Sequence, residues 1–174
     1  MPLTAAIVVV SDRCARRERE DRTGPAVRSL LQEAGWEVLP VQLVPDELDQ
    51  IRAALLRLCA EGKANLILTA GGTGLGPRDV TPEATEQVIE RKVPGICEAI
   101  RARSLVSTPN AMLSRATAGI RGHHLILNLP GSPQGAAESL AIALPVLTHA
   151  VEILHGAGHD CQLVSLDAME SECH

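Results

Sequence analysis

The residues best suited to chemistry lie in one stretch, 66–84, which reads LILTAGGTGLGPRDVTPEA. The apolar run Leu66–Leu68 predicts a buried strand, and Thr81-Pro82-Glu83 predicts the start of a helix. Between them, four glycines within residues 71–76 leave a turn without Cβ atoms. Successive backbone N–H groups in such a turn can converge on an anion, and a carboxylate beside it, Asp79, is favoured when a metal ion is also bound. The stretch predicts a site for phosphate together with magnesium; a plain tight turn is the alternative.

Two common nucleotide-binding loops are excluded by the same residues. A GxxxxGK[ST] loop needs a lysine, and the only two lysines, Lys63 and Lys92, lie outside the stretch. A GxGxxG loop also fails, because Pro77 stands where the third glycine would follow Gly72 and Gly74. The phosphate site must therefore be of another type.

Composition narrows the function classes. The 174 residues contain no Phe, no Tyr and one Trp, so the core must be built from Leu, Ile, Val and Ala, and no aromatic platform for single-stranded nucleic acid exists. A net charge of −5 disfavours a nonspecific nucleic-acid binder. No apolar run approaches the roughly 20 residues of a transmembrane helix, and the start lacks a basic leader. Five cysteines without a CxxC pair favour reduced thiols and a cytoplasmic location.

The first half of the chain has a β-α-β-α-β pattern. Ala5–Val10 predicts a central strand, and residues 14–22 are charged and predicted to form a loop. A helix from Thr23, its N-cap, to about Ala34 comes next, followed by a second strand at Trp36–Val44. Pro45-Asp46-Glu47 then starts a second helix before the third strand. The pattern predicts an α/β fold with parallel strands.

Parallel strands bring their C-terminal ends to one edge of a sheet. Asp12, Asp46 and the loop that begins at Gly71 are therefore expected at one rim, which is where open α/β sheets bind ligands. Asp46 also has a simpler interpretation as the N-cap of its helix. The Thr23-Gly24-Pro25 helix start is likewise either an anion site or an ordinary cap.

The second half predicts helices, a hairpin and a final helix. In order, the elements are a helix at 82–90, a helix at 96–106, a short helix or turn at 109–115, an antiparallel hairpin at 116–121 and 124–129, and a helix at 133–154. Ser132 is suited to cap the last helix, and Pro145 to kink it. We expect one domain at residues 1–155 and a mobile C-terminal tail at 156–174.

Four ordered segments carry a resemblance that spans about Ala5–Leu154. TAGGTGLGPRDVTPEAT, PGICEAIR, AMLSRATAGIRG and LILNLPGSP resemble the MogA/MoaB family of molybdenum-cofactor biosynthesis, which includes the G domain of gephyrin. The resemblance implies a three-layer α/β/α fold with a mostly parallel sheet, assembled as a trimer or, alternatively, a hexamer. It also implies molybdopterin adenylyltransferase activity, in which AMP passes from ATP to the molybdopterin phosphate with Mg²⁺ and pyrophosphate is released. A molybdenum-insertion enzyme would be a further partner.

The resemblance also implies site residues. Its two functional aspartates correspond to Asp46 and Asp79, which are the candidates for catalysis and for binding Mg²⁺. Together with the glycine loop, the candidate residues for binding ATP and molybdopterin are Asp21, Gly24, Gly71, Gly72, Thr73, Gly74, Arg78, Ser114, Arg115, Asn128, Pro130 and Gly131. The two arginines either clamp phosphate or pair with surface carboxylates.

This chemistry needs no histidine. A phosphate monoester has a second pKa of about 6, so the attacking oxygen is already an anion near neutrality. Catalysis is then positioning plus a cation, and His123 and His124 are expected to be structural. The cysteines and histidines after residue 154 fit no compact zinc pattern. Two other functions stay open: a non-catalytic molybdopterin-binding or scaffold protein, and a CinA-like nucleotide hydrolase, against which AMLSR and NLPGSP argue.

Overall fold

A mixed sheet of seven strands forms the centre of the computed structural model, which describes residues 2–156. The strands are β1 Thr4–Val10, β2 Glu37–Val38, β3 Gln42–Val44, β4 Leu66–Ala70, β5 Arg91–Lys92, β6 Ala118–Arg121 and β7 His124–Leu129. The helices are α1 Asp12–Ala15, α2 Thr23–Glu33, α3 Leu48–Glu61, α4 Thr81–Glu86, α5 Pro94–Ser104 and α6 Pro133–Leu154, with a 3-10 turn at Pro109–Leu113.

The strand order confirms the α/β fold. β2 and β3 both pair with the outer edge of β1, and the sheet continues β1-β4-β7-β6-β5. β1 pairs in parallel with β2, β3 and β4, and β4 pairs in parallel with β7. In contrast, β6 pairs antiparallel with both β7 and β5. The predicted hairpin is therefore correct, with Arg121 opposite His124 across its turn.

Alternating side chains of each strand fill the two faces of the sheet. In β1, Ala5, Ile7 and Val9 pack with α2, α5 and α6 on one face, while the residues between them pack with α3 and α4 on the other. Every residue of β1 and β4 is buried, as expected for strands covered on both faces. The three-layer α/β/α architecture follows from this alternation.

The second predicted strand is split in two. From Val38 to Gln42 the chain advances four residues while β1 advances three, from Ala5 to Val8, so one residue is in excess. The interruption contains Pro40, which has no N–H to donate to the ladder. Sequence periodicity does not report this bulge, because the apolar residues continue through it.

Several boundaries also differ from the sequence prediction. The first two residues of the loop predicted at 14–22 belong instead to the short helix α1, whose start is capped by the Ser11 hydroxyl, which accepts a hydrogen bond from Cys14 N–H (3.3 Å). The helix predicted from Pro45 begins at Leu48, and the one predicted to reach residue 90 ends at Glu86. Strand β5 was not predicted. The predicted tail from residue 157 onward lies outside the described residues.

The last helix has the predicted bounds and the predicted cap. The Ser132 hydroxyl accepts a hydrogen bond from Gly135 N–H (3.1 Å), and Pro133 is the first helical residue. Among the helices of residues 2–156, α6 is the one that is long and apolar enough, by length and composition only, to match a membrane span (mean hydropathy 1.5), which the sequence analysis did not foresee. In the structure, however, Leu140, Leu147 and Val151 are fully buried against the core. The kink at Pro145 stays a prediction.

The two hairpin histidines have structural partners, as predicted. His123 Nδ1 lies 2.8 Å from the carbonyl oxygen of Leu154, and His124 Nδ1 lies 2.6 Å from that of Ala64. Ala64 precedes β4, so His124 lies at the edge of the sheet opposite the glycine loop. Neither histidine is placed for chemistry at that loop.

Candidate functional site

The parallel strands end together at one edge. Register pairs Val10 of β1 with Val44 of β3, and Ala70 of β4 with both Val9 of β1 and Leu129 of β7. The chain leaves these ends through three turns that carry Asp12, Asp46 and the glycine loop, and a fourth that carries Pro130 and Gly131. The structure thus places Asp12, Asp46 and the glycine loop at one rim of the sheet, as the sequence predicted.

The start of the glycine loop requires glycine for steric reasons. Gly71 has φ = +117°, and a Cβ there would lie 2.2 Å from the carbonyl oxygen of Val10. Gly72 has φ = +63°, and a Cβ there would lie 2.4 Å from the hydroxyl oxygen of Thr81. Non-bonded contacts this short do not occur between a Cβ atom and an oxygen atom, so both positions exclude residues with a side chain.

The loop leaves backbone donors unused. Gly71 N–H donates to the carbonyl of Leu129 (3.1 Å), and Gly76 N–H donates to Asp79 Oδ2 (2.8 Å). Between them, the N–H groups of residues 72–75 have no hydrogen-bond acceptor within residues 2–156. Unpaired N–H groups at a glycine-rich turn form a concavity suited to anions. The loop therefore has the donors that a phosphate would need.

Asp46 does not cap its helix, so that interpretation is wrong. The residue before α3 is Glu47, which makes no side-chain cap. Instead Asp46 Oδ2 accepts a hydrogen bond from Asp12 N–H (2.8 Å), and Asp12 Oδ1 accepts one from Asp46 N–H (3.2 Å). This reciprocal pair ties the turn after β1 to the turn after β3 and points the Asp46 carboxylate toward the loop, where its Oδ1 lies 3.2 Å from the Cβ position of Gly72.

The ionised form of Asp46 is disfavoured by its surroundings. Burial raises its pKa most, and the negative charges of Asp12 and Asp79 raise it further, against the backbone hydrogen bond and Arg78. Asp12 has the opposite shift, because its hydrogen bonds to the Arg78 guanidinium hold its pKa below the usual range. The charge of Asp79 thus acts on Asp46 at this rim, and a bound cation would relieve their repulsion.

Arg78 pairs with carboxylates, which is one of the two roles left open by the sequence. Its guanidinium donates to Asp12 at 2.9 and 3.1 Å and lies 2.8 Å from Glu47 Oε1. These partners raise the pKa of Arg78. The side chain is half exposed and spans the outer side of the Asp12–Asp46 pair.

Arg115 fixes the glycine loop from within. Its guanidinium donates to the carbonyl oxygens of Gly74 (2.7 Å) and Asp79, and it forms an ion pair with Glu83. Its own N–H donates to the carbonyl of Thr73 (3.0 Å). Each of its nitrogens therefore makes a contact within the protein, so Arg115 shapes the loop, and its clamping of phosphate stays a prediction.

Asp21 and Gly24 form the cap of α2. Asp21 Oδ1 accepts hydrogen bonds from the N–H groups of Thr23 (2.8 Å) and Gly24 (3.0 Å). The sequence predicted Thr23 as the N-cap, but Thr23 is the first helical residue, the N-cap is Arg22, and the side chain of Asp21 supplies the capping bonds. A Cβ on Gly24 would lie 2.4 Å from Asp21 Oδ2, which explains the glycine. The freed Thr23 hydroxyl donates to the carbonyl of Gly131 (2.9 Å) and links this helix to the rim.

Asn128 makes hydrogen bonds within the protein at the wall of a cavity, and its contact with a ligand stays a prediction. Its side chain is 1% exposed, and its amide nitrogen donates to the hydroxyls of Thr69 (2.8 Å) and Thr85 (2.9 Å). Its amide oxygen accepts from Thr117 N–H (3.2 Å). Both donors are used, so the amide ties β4, α4 and β7 together beneath the rim.

Two cavities lie on either side of the glycine loop. The larger, of about 480 Å³, is lined by Thr73, Gly74, Ser114, Pro130 and by hydroxyl and amide groups of α5, α6 and the 3-10 turn. The smaller, of about 140 Å³, is lined by Gly71, Gly72, Asp46 and Gly131, and by charged residues before α2 (Arg19, Glu20, Asp21, Arg22). Ser114 and Thr73 therefore belong to one chamber, and Asp46 and Gly72 to the other.

The donor set at the rim fits magnesium. Residues 2–156 contain no group of three or more His, Cys, Asp or Glu side chains arranged to hold a metal ion. Mg²⁺, however, is held in proteins by one or two carboxylates together with substrate phosphates and water, rather than by an all-protein cage. Asp46, which is partly buried with Oδ1 beside Gly72, and Asp79, whose charge acts on it, match that number of carboxylates.

Two contributors at the rim were not assigned by the sequence. Asp12, expected only to lie nearby, orients Asp46 through its backbone N–H; its position directly after a buried strand was the available signal. Arg101 lines the larger cavity and donates to the carbonyl of Ala116 (3.0 Å). Arg101 ends the segment PGICEAIR that carries the family resemblance, and this was the available signal.

Fold and rim define an α/β ligand-binding domain with an anion-binding loop at the carboxyl edge of its sheet. A family model described as a probable molybdopterin binding domain matches residues 6–149. Molybdopterin adenylyltransferase of Helicobacter pylori is 40% identical over 152 residues, 86% of each chain. The crystal structure of MoaB from Thermus thermophilus superposes with a TM-score of 0.84 and 49% sequence identity, and the match covers 88% of this chain and 97% of that chain. A MogA structure superposes with a TM-score of 0.83 and 39% sequence identity, and that match covers 87% of this chain and 99% of the MogA chain. The chain belongs to this molybdopterin-binding domain family.

Proposed function

We propose that this protein is a magnesium-dependent molybdopterin adenylyltransferase of molybdenum-cofactor biosynthesis. The observation that supports it best is the pair of cavities that share the glycine loop as a common wall. A transfer between two substrates needs both to approach one point from different sides, and this arrangement provides it. The Helicobacter pylori relative is named for this same activity.

The two substrates would bind in different cavities, according to the chemical groups that line each cavity. The smaller cavity is lined by Asp46 and by Gly72, whose N–H is unpaired within the described part of the chain, and these groups suit a phosphate of ATP and its cation. The larger falls within the range of about 300–1,000 Å³ typical of small-molecule sites, and its hydroxyl and amide groups suit the polar edges of a pterin. Ser114 and Thr73 would then contact molybdopterin, and Gly71, Gly72 and Gly131 would contact ATP.

The reaction forms one phosphorus–oxygen bond and breaks another. A terminal phosphate oxygen of molybdopterin attacks the α-phosphorus of ATP, the bond from that phosphorus to the bridging oxygen of the β-phosphate breaks, and pyrophosphate leaves with the electron pair. The attacking oxygen is already ionised, so no general base is required. Magnesium, when bound, neutralises phosphate charge as the pyrophosphate departs. Asp46 and Asp79 would hold that ion, while the loop amides orient the triphosphate.

We propose in addition a homo-oligomer, as a trimer with a hexamer as the alternative, located in the cytoplasm. Large apolar side chains are exposed together near the end of α5 and in the 3-10 turn: Leu105, Val106, Met112 and Leu113. Exposed apolar clusters of this kind are typical of contact surfaces between chains. Light scattering after size-exclusion chromatography measures the mass, and a monomer at micromolar concentration would contradict this proposal. A molybdenum-insertion enzyme would receive the adenylylated product.

Transfer of labelled AMP from Mg-ATP to molybdopterin tests the function. The wild-type protein should form adenylylated molybdopterin and pyrophosphate in equal amounts. Asp46→Asn and Asp79→Asn should each lower kcat at least tenfold, about 1.4 kcal/mol of barrier. Asp49→Asn is the matched control, because that exposed carboxylate of α3 pairs only with Arg52 and should leave the rate unchanged.

Other outcomes separate the remaining functions. Tight binding of molybdopterin without pyrophosphate release, by wild-type protein with intact Asp46 and Asp79, would indicate a non-catalytic binding or scaffold protein. Release of phosphate or pyrophosphate from nucleotides without molybdopterin would indicate a hydrolase. Normal transfer by a folded Asp79→Asn variant would remove Asp79 from the catalytic set.

A further inference from the structure

Thr81 has a buried hydroxyl with no role in the free protein. The residue is fully buried, and its Oγ1 has no hydrogen-bond partner within the described residues. A hydroxyl buried without a partner is unfavourable, whereas valine has the same shape and carries no polar atom. The chain therefore keeps a destabilising group at the position where α4 meets the glycine loop.

The obvious structural role for this hydroxyl is excluded by the hydrogen bonds around it. A threonine at the start of a helix usually accepts a hydrogen bond from the N–H three residues later. Here that donor, Ala84 N–H, bonds to the carbonyl of Val80 (3.0 Å). The backbone of Thr81 does serve the fold, because its N–H donates to the carbonyl of Gly72 (3.0 Å), but its side chain is not a cap.

Asp46 is the ionisable partner within reach. Gly72 has no Cβ, but the position that a Cβ would take lies 2.4 Å from Thr81 Oγ1 and 3.2 Å from Asp46 Oδ1. The distance between these two oxygens therefore cannot exceed the sum of the two values. Because residue 72 is a glycine, no side chain stands between them. The other oxygen of Asp46 already accepts from Asp12 N–H, whereas Oδ1 borders the same space beside Gly72 as Thr81 Oγ1.

We propose that Thr81 is a positioning residue for Asp46, whose hydroxyl donates a hydrogen bond to Asp46 Oδ1 once the polyanionic substrate and its cation occupy the rim. The inference rests on the proposed function. With Asp12 N–H on one oxygen and Thr81 on the other, the carboxylate is fixed in a single orientation. Hydrogen-bonded partners that orient a metal-binding carboxylate typically change affinity or activity by 10- to 100-fold when they are removed. The hydroxyl is fully buried, so it acts through Asp46 and does not touch substrate.

Thr81→Val tests this inference, with Thr81→Ser as the conservative variant. In the free protein, Thr81→Val should unfold at the same temperature as wild type or higher, because it removes only an unpartnered hydroxyl. The rise in melting temperature caused by Mg-ATP should become smaller. In the transfer assay, kcat should fall about tenfold and the magnesium concentration for half-maximal rate should rise, with little change in KM for molybdopterin. Thr81→Ser retains the hydroxyl and should recover most of both effects.

Thr85→Val is the matched control, because its buried hydroxyl is already engaged by Asn128 in the free protein (2.9 Å). That variant should lose stability without a selective loss of the Mg-ATP effect. The inference is overturned if Thr81→Val keeps the full Mg-ATP stabilisation, if it destabilises the free protein, or if Thr81→Ser behaves like Thr81→Val. Absence of AMP transfer by wild type would refute the proposed function, and the Mg-ATP melting shifts would still decide the role of Thr81.

Discussion

Replacing Asn128 with alanine tests whether its amide holds the fold together beneath the rim. The substitution removes three buried hydrogen bonds, to Thr69, Thr85 and Thr117. Each contributes about 1 kcal/mol net, and partners left buried without a bond add to the cost, so Asn128→Ala should lose about 3–5 kcal/mol of unfolding free energy. For a chain of this size, 1 kcal/mol corresponds to about 2–4 °C, which gives a melting temperature lower by roughly 6–20 °C.

The assay is urea unfolding followed by the fluorescence of Trp36, the single tryptophan, which is buried in the core. Gln134→Ala is the matched control, since that exposed amide bonds only to Glu138 (2.8 Å) and should change stability by less than about 0.5 kcal/mol. If Asn128→Ala stays within about 1 kcal/mol of wild type but loses substrate binding, the amide is a ligand contact and the structural reasoning is wrong.

Three further changes can be measured directly. Gly71→Ala should destabilise or unfold the protein, because its methyl group would meet the Val10 carbonyl at 2.2 Å; normal melting would contradict this. Cys97, whose pKa burial raises to about 11, should resist alkylation at pH 8 in native protein and react after unfolding, as read by peptide mass spectrometry. Burial and two neighbouring histidines lower the pKa of His155, so the unfolded chain binds its proton more readily. Stability should therefore fall as pH drops below about 6.5, less steeply in His155→Gln by urea unfolding; equal slopes would refute this.

The architecture was predictable because local sequence patterns specify most of its strands, turns and helix ends. Strands β1 and β4 are continuous apolar runs, and the glycine loop, the hairpin turn and Ser132-Pro133 mark element ends with residues whose conformational preferences are strong. The common rim then followed from parallel strand topology alone. The bulge near Pro40 escaped detection, because one excess residue leaves the apolar composition unchanged.

The site was harder to predict, because residue type does not reveal hydrogen-bond partners. Asp46 was equally suited to cap a helix or to face a ligand, and only the contact with Asp12, 34 residues away in sequence, separates the two roles. Arg115 and Asn128 matched family motifs as ligand contacts, and only the structure shows that both also make hydrogen bonds within the protein. The unpartnered hydroxyl of Thr81 is invisible in the sequence for the same reason.

The glycine loop has a consequence that extends beyond either cavity. Thr73 faces one chamber and Gly72 the other, so the backbone between them is a wall one residue thick. If a ligand on one side restricts the motion of this wall, a ligand on the opposite side has less conformational entropy to lose, and each ligand should then raise the affinity for the other by the same factor. We therefore expect binding in the two chambers to be coupled through their shared wall.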